Sequence, residues 1–242
     1  TQMLRPLGIG ILIGGALSGV IASLPALKAA IAGLAHASAV PGAMQELSLR
    51  TLYLGILGSL VVLFVAALLA DPGMTVVRAG VTALIGTLWL ALAGLVVAQA
   101  TGMTDISPIS GMSLIGVTIM FFLSDGNVAT SIVLGVAVSI GIGQCADMMS
   151  DLKTGHLVGA RPRIQQIAQF SFAWLGVPVA IGVLYLIWNG PGFGPDNPDL
   201  SAPQGAALAA VMDGLRAGAA PVDKYLAGLG IGLALGVFPL SG

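Results

Sequence analysis

The chain has 242 residues, 57% of them hydrophobic and only 8% charged, with a formal net charge of −1. Soluble domains carry about 25% charged residues, so this composition, with a mean hydropathy of +1.01, excludes an ordinary soluble domain. No basic tract is present to hold phosphates, so nucleic acid is not an expected partner, and the single cysteine, Cys145, excludes an intrachain disulfide.

Roughly 20 consecutive apolar residues cross a bilayer as a helix. Long apolar segments lie at about 7–27, 50–70, 79–100, 128–149 and 167–188, with a shorter one at 109–123 and another at 225–242. Alternating segments of the kind that build a β-barrel are absent. The expected fold class is therefore all-α: one polytopic transmembrane helical bundle of about six or seven spans. Broken or re-entrant segments are expected near 101–123 and 202–221. The stretch 28–49 is too polar to span and is expected along the interface. The first run is too long for a signal peptide. The sequence opens at Thr1 and stops at Gly242 inside an apolar run, so it is expected to be part of a longer protein.

In the first span, GIGILIGGALSG, Gly10 and Gly14 are four apart, as are Gly15 and Gly19. Small residues at this spacing let helix backbones approach closely in lipid, so tight packing is expected there. Orientation follows from the cations. Lys153, Arg161 and Arg163 place the 150–166 loop on the cytoplasmic side, and the cation-free 189–203 loop falls outside. Counting back puts 124–127 and 71–78 outside and 101–108 inside, provided that 109–123 crosses fully. Arg5 and Arg78 dissent from this scheme.

Polar residues concentrate in two places. Gln144–Arg163 holds five of the nineteen charged side chains and one of the two histidines. Gln144, Asp147 and Asp151 share one helix face, and carboxylates at i and i+4 repel unless one is protonated or paired. Lys153 and His156 are near enough in sequence to be partners. The cluster reads as a candidate proton relay or gate, against a plain reading as a solvated helix end at the headgroups. The second place is TGMTDISPISGM, residues 101–112. Pro108 removes a backbone donor and disfavours helix at Ser107. Irregular backbone at membrane depth is tolerated where it lines protein or a watery cavity. Asp105, Ser107, Pro108 and Ser110 are the candidate substrate-binding residues, against a plain cytoplasmic loop. In Ser124–Asn127, SDGN, helix capping accounts for the polar residues. Asp213 and Arg216 form a candidate pair in the 202–221 segment.

Enzyme signals are weak. Ser110–Gly111 and a distant His156 do not make an intramembrane serine protease. His36, His156 and Cys145 are isolated, so no metal site or other cofactor is expected.

These residues resemble the oligopeptide transporter family, which includes the yellow-stripe-like metal–chelate transporters. Asp147–Gln166, DMMSDLKTGHLVGARPRIQQ, looks like a motif of that family. The eukaryotic peptide branch ends a similar run in Lys-Ile-Pro-Pro-Arg. Gly159-Ala160-Arg161-Pro162-Arg163 keeps only the final Pro-Arg, which favours the prokaryotic or yellow-stripe-like branch. RPLGIGILIGGAL from Arg5 is similar to the family's glycine-rich span. TGMTDISPISGM from Thr101 is similar to its Asn-Pro-containing break, with Ser107 in the Asn place, and APQGAALAAVMDGL from Ala202 resembles a late segment.

The resemblance implies a fragment from the C-terminal half of a proton-coupled secondary transporter, not an enzyme. Its substrates would be short peptides, peptide-like thiols or metal chelates. The implied partners are that small-molecule substrate, protons, the lipid bilayer, the rest of the same transporter and, as an option, further copies in a homo-oligomer. The implied location is a bacterial inner (plasma) membrane. The alternative is a membrane structural or assembly subunit that transports nothing itself.

Overall fold

The computed structural model describes residues 49–105, 107–194, 197, 199–200 and 222–237, with scattered helical positions between 7 and 21 and between 205 and 212. Among the described residues every regular element is helical. In chain order they are α1 (Leu49–Ala70), α2 (Val76–Thr104), α3 (Ile109–Leu123), α4 (Val128–Leu157), α5 (Pro162–Phe172), a 3-10 turn (Ala173–Leu175), α6 (Gly176–Asn189) and α7 (Val222–Val237). Four stretches are long and apolar enough to cross a bilayer: Arg50–Ala70, Val76–Met103, Val128–Leu157 and Pro162–Asn189. The all-helical membrane bundle expected from composition is the architecture observed.

Several helices overrun their apolar segments, because backbone hydrogen bonding and not hydropathy decides where a helix stops. α4 continues past residue 149 through the polar run to Leu157. It ends where Gly159 adopts a φ of 76°, a left-handed conformation that suits glycine. There the Ala160 N–H bonds back to the Gly155 carbonyl at 2.8 Å. Pro162 then opens α5 in its first turn, where its missing donor costs nothing. The single span expected at 167–188 begins earlier, at Pro162, and is interrupted by the 3-10 turn at Ala173–Leu175. Pro178 lies four residues beyond Trp174, so it cannot donate to that carbonyl and its ring crowds it. The helix tightens there for that reason.

α2 and α4 run parallel, with α3 antiparallel between them. Leu90 packs on Gly141, Gly94 on Cys145 and Gly102 on Met149, so both helices advance in the same direction. α3 returns beside them. Trp89 Nε1 donates to the Met112 carbonyl at 3.3 Å, and Arg78 at the start of α2 meets Leu123 at the end of α3. The core lies where these helices and α1 converge, around Met112, Met120, Leu134, Val138 and Ile142. α4 approaches α3 closely at Gly135. A Cβ there would fall 2.8 Å from the Val117 Cα, which is the close backbone approach that small residues allow in membrane helices.

Of the glycines expected to pack in the first span, Gly10 and Gly14 lie against the α7 backbone, Gly15 has open space around it, and Gly19 lies outside the described residues. A Cβ on Gly14 would collide with the α7 backbone at Leu229–Leu233, and one on Gly232 with that at Ile11. Residues 22–48 lie outside the described residues, as does most of the 202–221 segment, including Asp213 and Arg216. From that segment Met212 is described, and it is buried against Leu114, Val117 and Phe121 of α3.

Candidate functional site

Four helix ends are tied together at one end of the bundle. The Arg78 Nε donates to the Leu123 carbonyl at 2.7 Å, and its Nη1 lies 3.3 Å from the Asp125 carboxylate. Thr130 donates to the Ala70 carbonyl, and the buried hydroxyls of Ser124 and Ser131 are 2.8 Å apart. Asn127 caps α4 by accepting from the Thr130 N–H at 3.2 Å, as its sequence position suggests. Arg78, which dissents from the charge-based orientation, thus has its charge engaged locally. The turns 71–75 and 124–127 share this end. α3 runs back along α2 from Ile109 to Leu123.

The break at 101–112 lies at the opposite end. α2 stops at Asp105, which takes the left-handed conformation at φ 60° and ψ 13° and donates its N–H to the Thr101 carbonyl. Such backbone is uncommon outside glycine, though Asp and Asn tolerate it best. The Thr101 hydroxyl donates to the Val97 carbonyl at 2.8 Å and lies 2.7 Å from the Ser107 hydroxyl. Either hydroxyl can be the donor in the second contact. Pro108 precedes α3 and supplies no side-chain cap. The first N–H groups of α3 therefore keep the partial positive charge of an unfilled helix terminus. Ser110, in that first turn, and Asp105 are both exposed. An acid and an uncapped helix start thus lie within a few residues of each other, which suits a ligand carrying both a cation and an anion.

Asp147, Asp151, Lys153 and His156 all lie on the last three turns of α4 and are exposed. The partners of Asp151 are not Lys153 or His156. They come from α5: Gln169 Nε2 donates to the carboxylate, and Gln165 Nε2 donates to the Asp151 backbone carbonyl at 3.1 Å. Gln165 lies directly over the buried Gly155. Asp147, Lys153 and His156 form no ion pair with another described residue. The structure therefore separates the two carboxylates: Asp151 fastens α4 to α5, and Asp147 is left open. Among the described residues, no three His, Cys, Asp or Glu side chains converge where a metal could be held.

The two candidate clusters share one end of the bundle. A Cβ on Gly102, in the break, would lie 3.1 Å from Cγ of Met149, which stands between Asp147 and Asp151. Sequence reasoning missed Thr101, Gln165, Gln169 and the Arg78–Asp125 pair. The glutamines carry a legible signal: Gln165 and Gln169 are four apart, on one face of a helix that must fold back on Asp151 after a short turn.

Fold and helix composition define a polytopic helical membrane protein. The sequence profile described as "OPT oligopeptide transporter protein" matches residues 20–240, and the chain belongs to that family. It is similar to a Saccharomyces cerevisiae protein named "Putative oligopeptide transporter YGL114W", with 37% identity over 113 residues, 45% of this chain and 15% of the relative. It is also similar to a Haemophilus influenzae protein named "Putative oligopeptide transporter", with 29% identity over 202 residues, 71% of this chain and 31% of that protein. The chain thus spans less than a third of the length of these relatives. No solved structure matches it significantly.

Proposed function

We propose that the chain forms part of the pathway of a proton-coupled transporter for short peptides or peptide-like or metal–chelate substrates. It does so by alternating access around the break at 101–112. The observation that carries the reading is the broken α2–α3 connection of a chain in the oligopeptide transporter family. A zwitterionic peptide has an ammonium group for Asp105. It has a carboxylate for the uncapped start of α3, where Ser107 and Ser110 add hydroxyls. A binding step of this kind needs both features and no covalent chemistry.

Asp147 is the proposed proton carrier, with Lys153 and His156 on the adjoining turns and Asp151 as the fixed point of the gate. The Asp147 carboxylate is exposed and makes no ion pair with another described residue, which leaves it open to the pathway. In the proposed orientation the 150–166 loop faces the cytoplasm, and the membrane is a bacterial inner membrane.

The test is uptake into proteoliposomes holding the full-length protein, driven by a pH gradient, with di- to tetrapeptides and iron chelates as alternatives. Saturable uptake of one class, with KM raised by Asp105→Asn, is the expected result. Absence of uptake for every class would favour a non-transporting membrane subunit.

A further inference from the structure

α5 is built the wrong way round for a helix packed in a protein interior. Gln165 and Gln169 face α4, where they bond to Asp151. Ile164, Ile167 and Phe170 recur every three residues on the other side and are 61%, 48% and 68% exposed. No residue of α5 or α6 is buried. An apolar ridge turned outward along a polar seam demands an apolar neighbour outside the bundle.

The level of this ridge identifies the neighbour. α4 has 30 residues and is about 45 Å long at 1.5 Å per residue. That exceeds a hydrocarbon core of about 30 Å but matches a whole bilayer of ~40–45 Å with its headgroups. With Asn127 at one surface, the last turns of α4 lie at the headgroups of the other, and α5 folds back beside them. Arg161 and Arg163, both exposed, stand at the start of α5. Lys153 and His156 are exposed on the adjoining turns of α4. Of the two acids there, Asp151 is engaged by Gln169, and Asp147 lies deeper. A basic foot below an outward apolar ridge, at headgroup depth where the stretch Pro162–Asn189 enters the bilayer, is an arrangement that binds anionic lipid.

We infer that α5 is a docking surface for an anionic phospholipid. Arg161 and Arg163 hold the headgroup phosphate, and Ile164, Ile167 and Phe170 hold the upper acyl chains. The inference concerns the lipid-facing side of the hairpin and does not depend on what the protein transports.

The test is native mass spectrometry of the full-length protein extracted from vesicles of phosphatidylglycerol and phosphatidylcholine, with bound lipids counted. Enrichment of phosphatidylglycerol over its bulk fraction is expected. It should fall by about five-fold for each of Arg161→Gln and Arg163→Gln, the loss of one cation near an anionic surface. The Arg161→Lys/Arg163→Lys double variant should retain most of the enrichment, which separates lost charge from lost folding. Equal enrichment in the Gln variants would overturn the proposal. So would displacement of the lipid by millimolar inorganic phosphate, which would mark a free-anion site. A disulfide-linked dimer of Phe170→Cys in a Cys145→Ser background would overturn it as well, by assigning the ridge to a second copy.

Discussion

Gly102 packs against the side chain of Met149, and this contact brings the break after α2 to the carboxylate-bearing end of α4. Events at the two places are thereby mechanically linked. A larger residue at 102 must push Met149 aside, and α4 carries Asp147 and Asp151 on either side of it. Gly102→Leu is expected to reduce uptake at least ten-fold while the protein still reaches the membrane. The overpacking would cost about 1–3 kcal/mol. Gly102→Ala should be milder, because the flexible thioether can shift. Uptake rates normalised to membrane-inserted protein check this.

At the other end, Arg78 makes two contacts of unequal worth. Asp125 is 85% exposed at its side chain, so its ion pair contributes at most ~1 kcal/mol. The bond to the half-buried Leu123 carbonyl is charge-assisted, and losing it leaves an acceptor unpaired, at about 1.5–3 kcal/mol. Arg78→Ala should lower thermal stability in detergent clearly more than Asp125→Asn. Equal losses would show that the surface pair dominates.

Gly135 provides a cleaner stability test, since Val117 meets it with backbone and cannot rotate away. Gly135→Ala should destabilise by about 1–3 kcal/mol. Gly143→Ala, on the same helix with open space around it, should be neutral or stabilising by up to ~1 kcal/mol. Parallel unfolding curves of the two variants decide this.

The α4–α5 hairpin depends on Asp151 accepting from two glutamines of α5. Gln169→Ala should free that carboxylate and speed amide hydrogen exchange in Val158–Ile164, leaving exchange in the α2–α3–α4 core unchanged. No change in the hairpin would mean that Gly155 and Gln165 hold it alone.

Much of this arrangement can be read from the sequence and some cannot, for physical reasons. Apolar length identifies α1, α2 and α4, because a bilayer demands it. It misplaces the end of α4, since Asp147–Leu157 is polar but contains no strong helix breaker before its final turns. It also misses the 3-10 turn, although Pro178 carries the signal in plain view. The break at Pro108 is legible because proline and the residue before it are constrained locally. Asp151–Gln169 and Arg78–Leu123 are contacts across helices, 18 and 45 residues apart in sequence. Charge counting pairs Asp151 with Lys153 or His156, because it sees proximity along the chain and not the direction in which α5 folds back.

Proton-coupled peptide transport is decided by proton entry into proteoliposomes of the full-length protein on addition of the transported peptide, in wild type and in Asp147→Asn. Peptide-dependent acidification is expected in wild type. In Asp147→Asn it is expected to be lost, with peptide binding and expression retained. Undiminished acidification with the same pH dependence in Asp147→Asn would contradict the role given to Asp147. Absence of peptide-dependent acidification in wild type would contradict proton-coupled peptide transport itself.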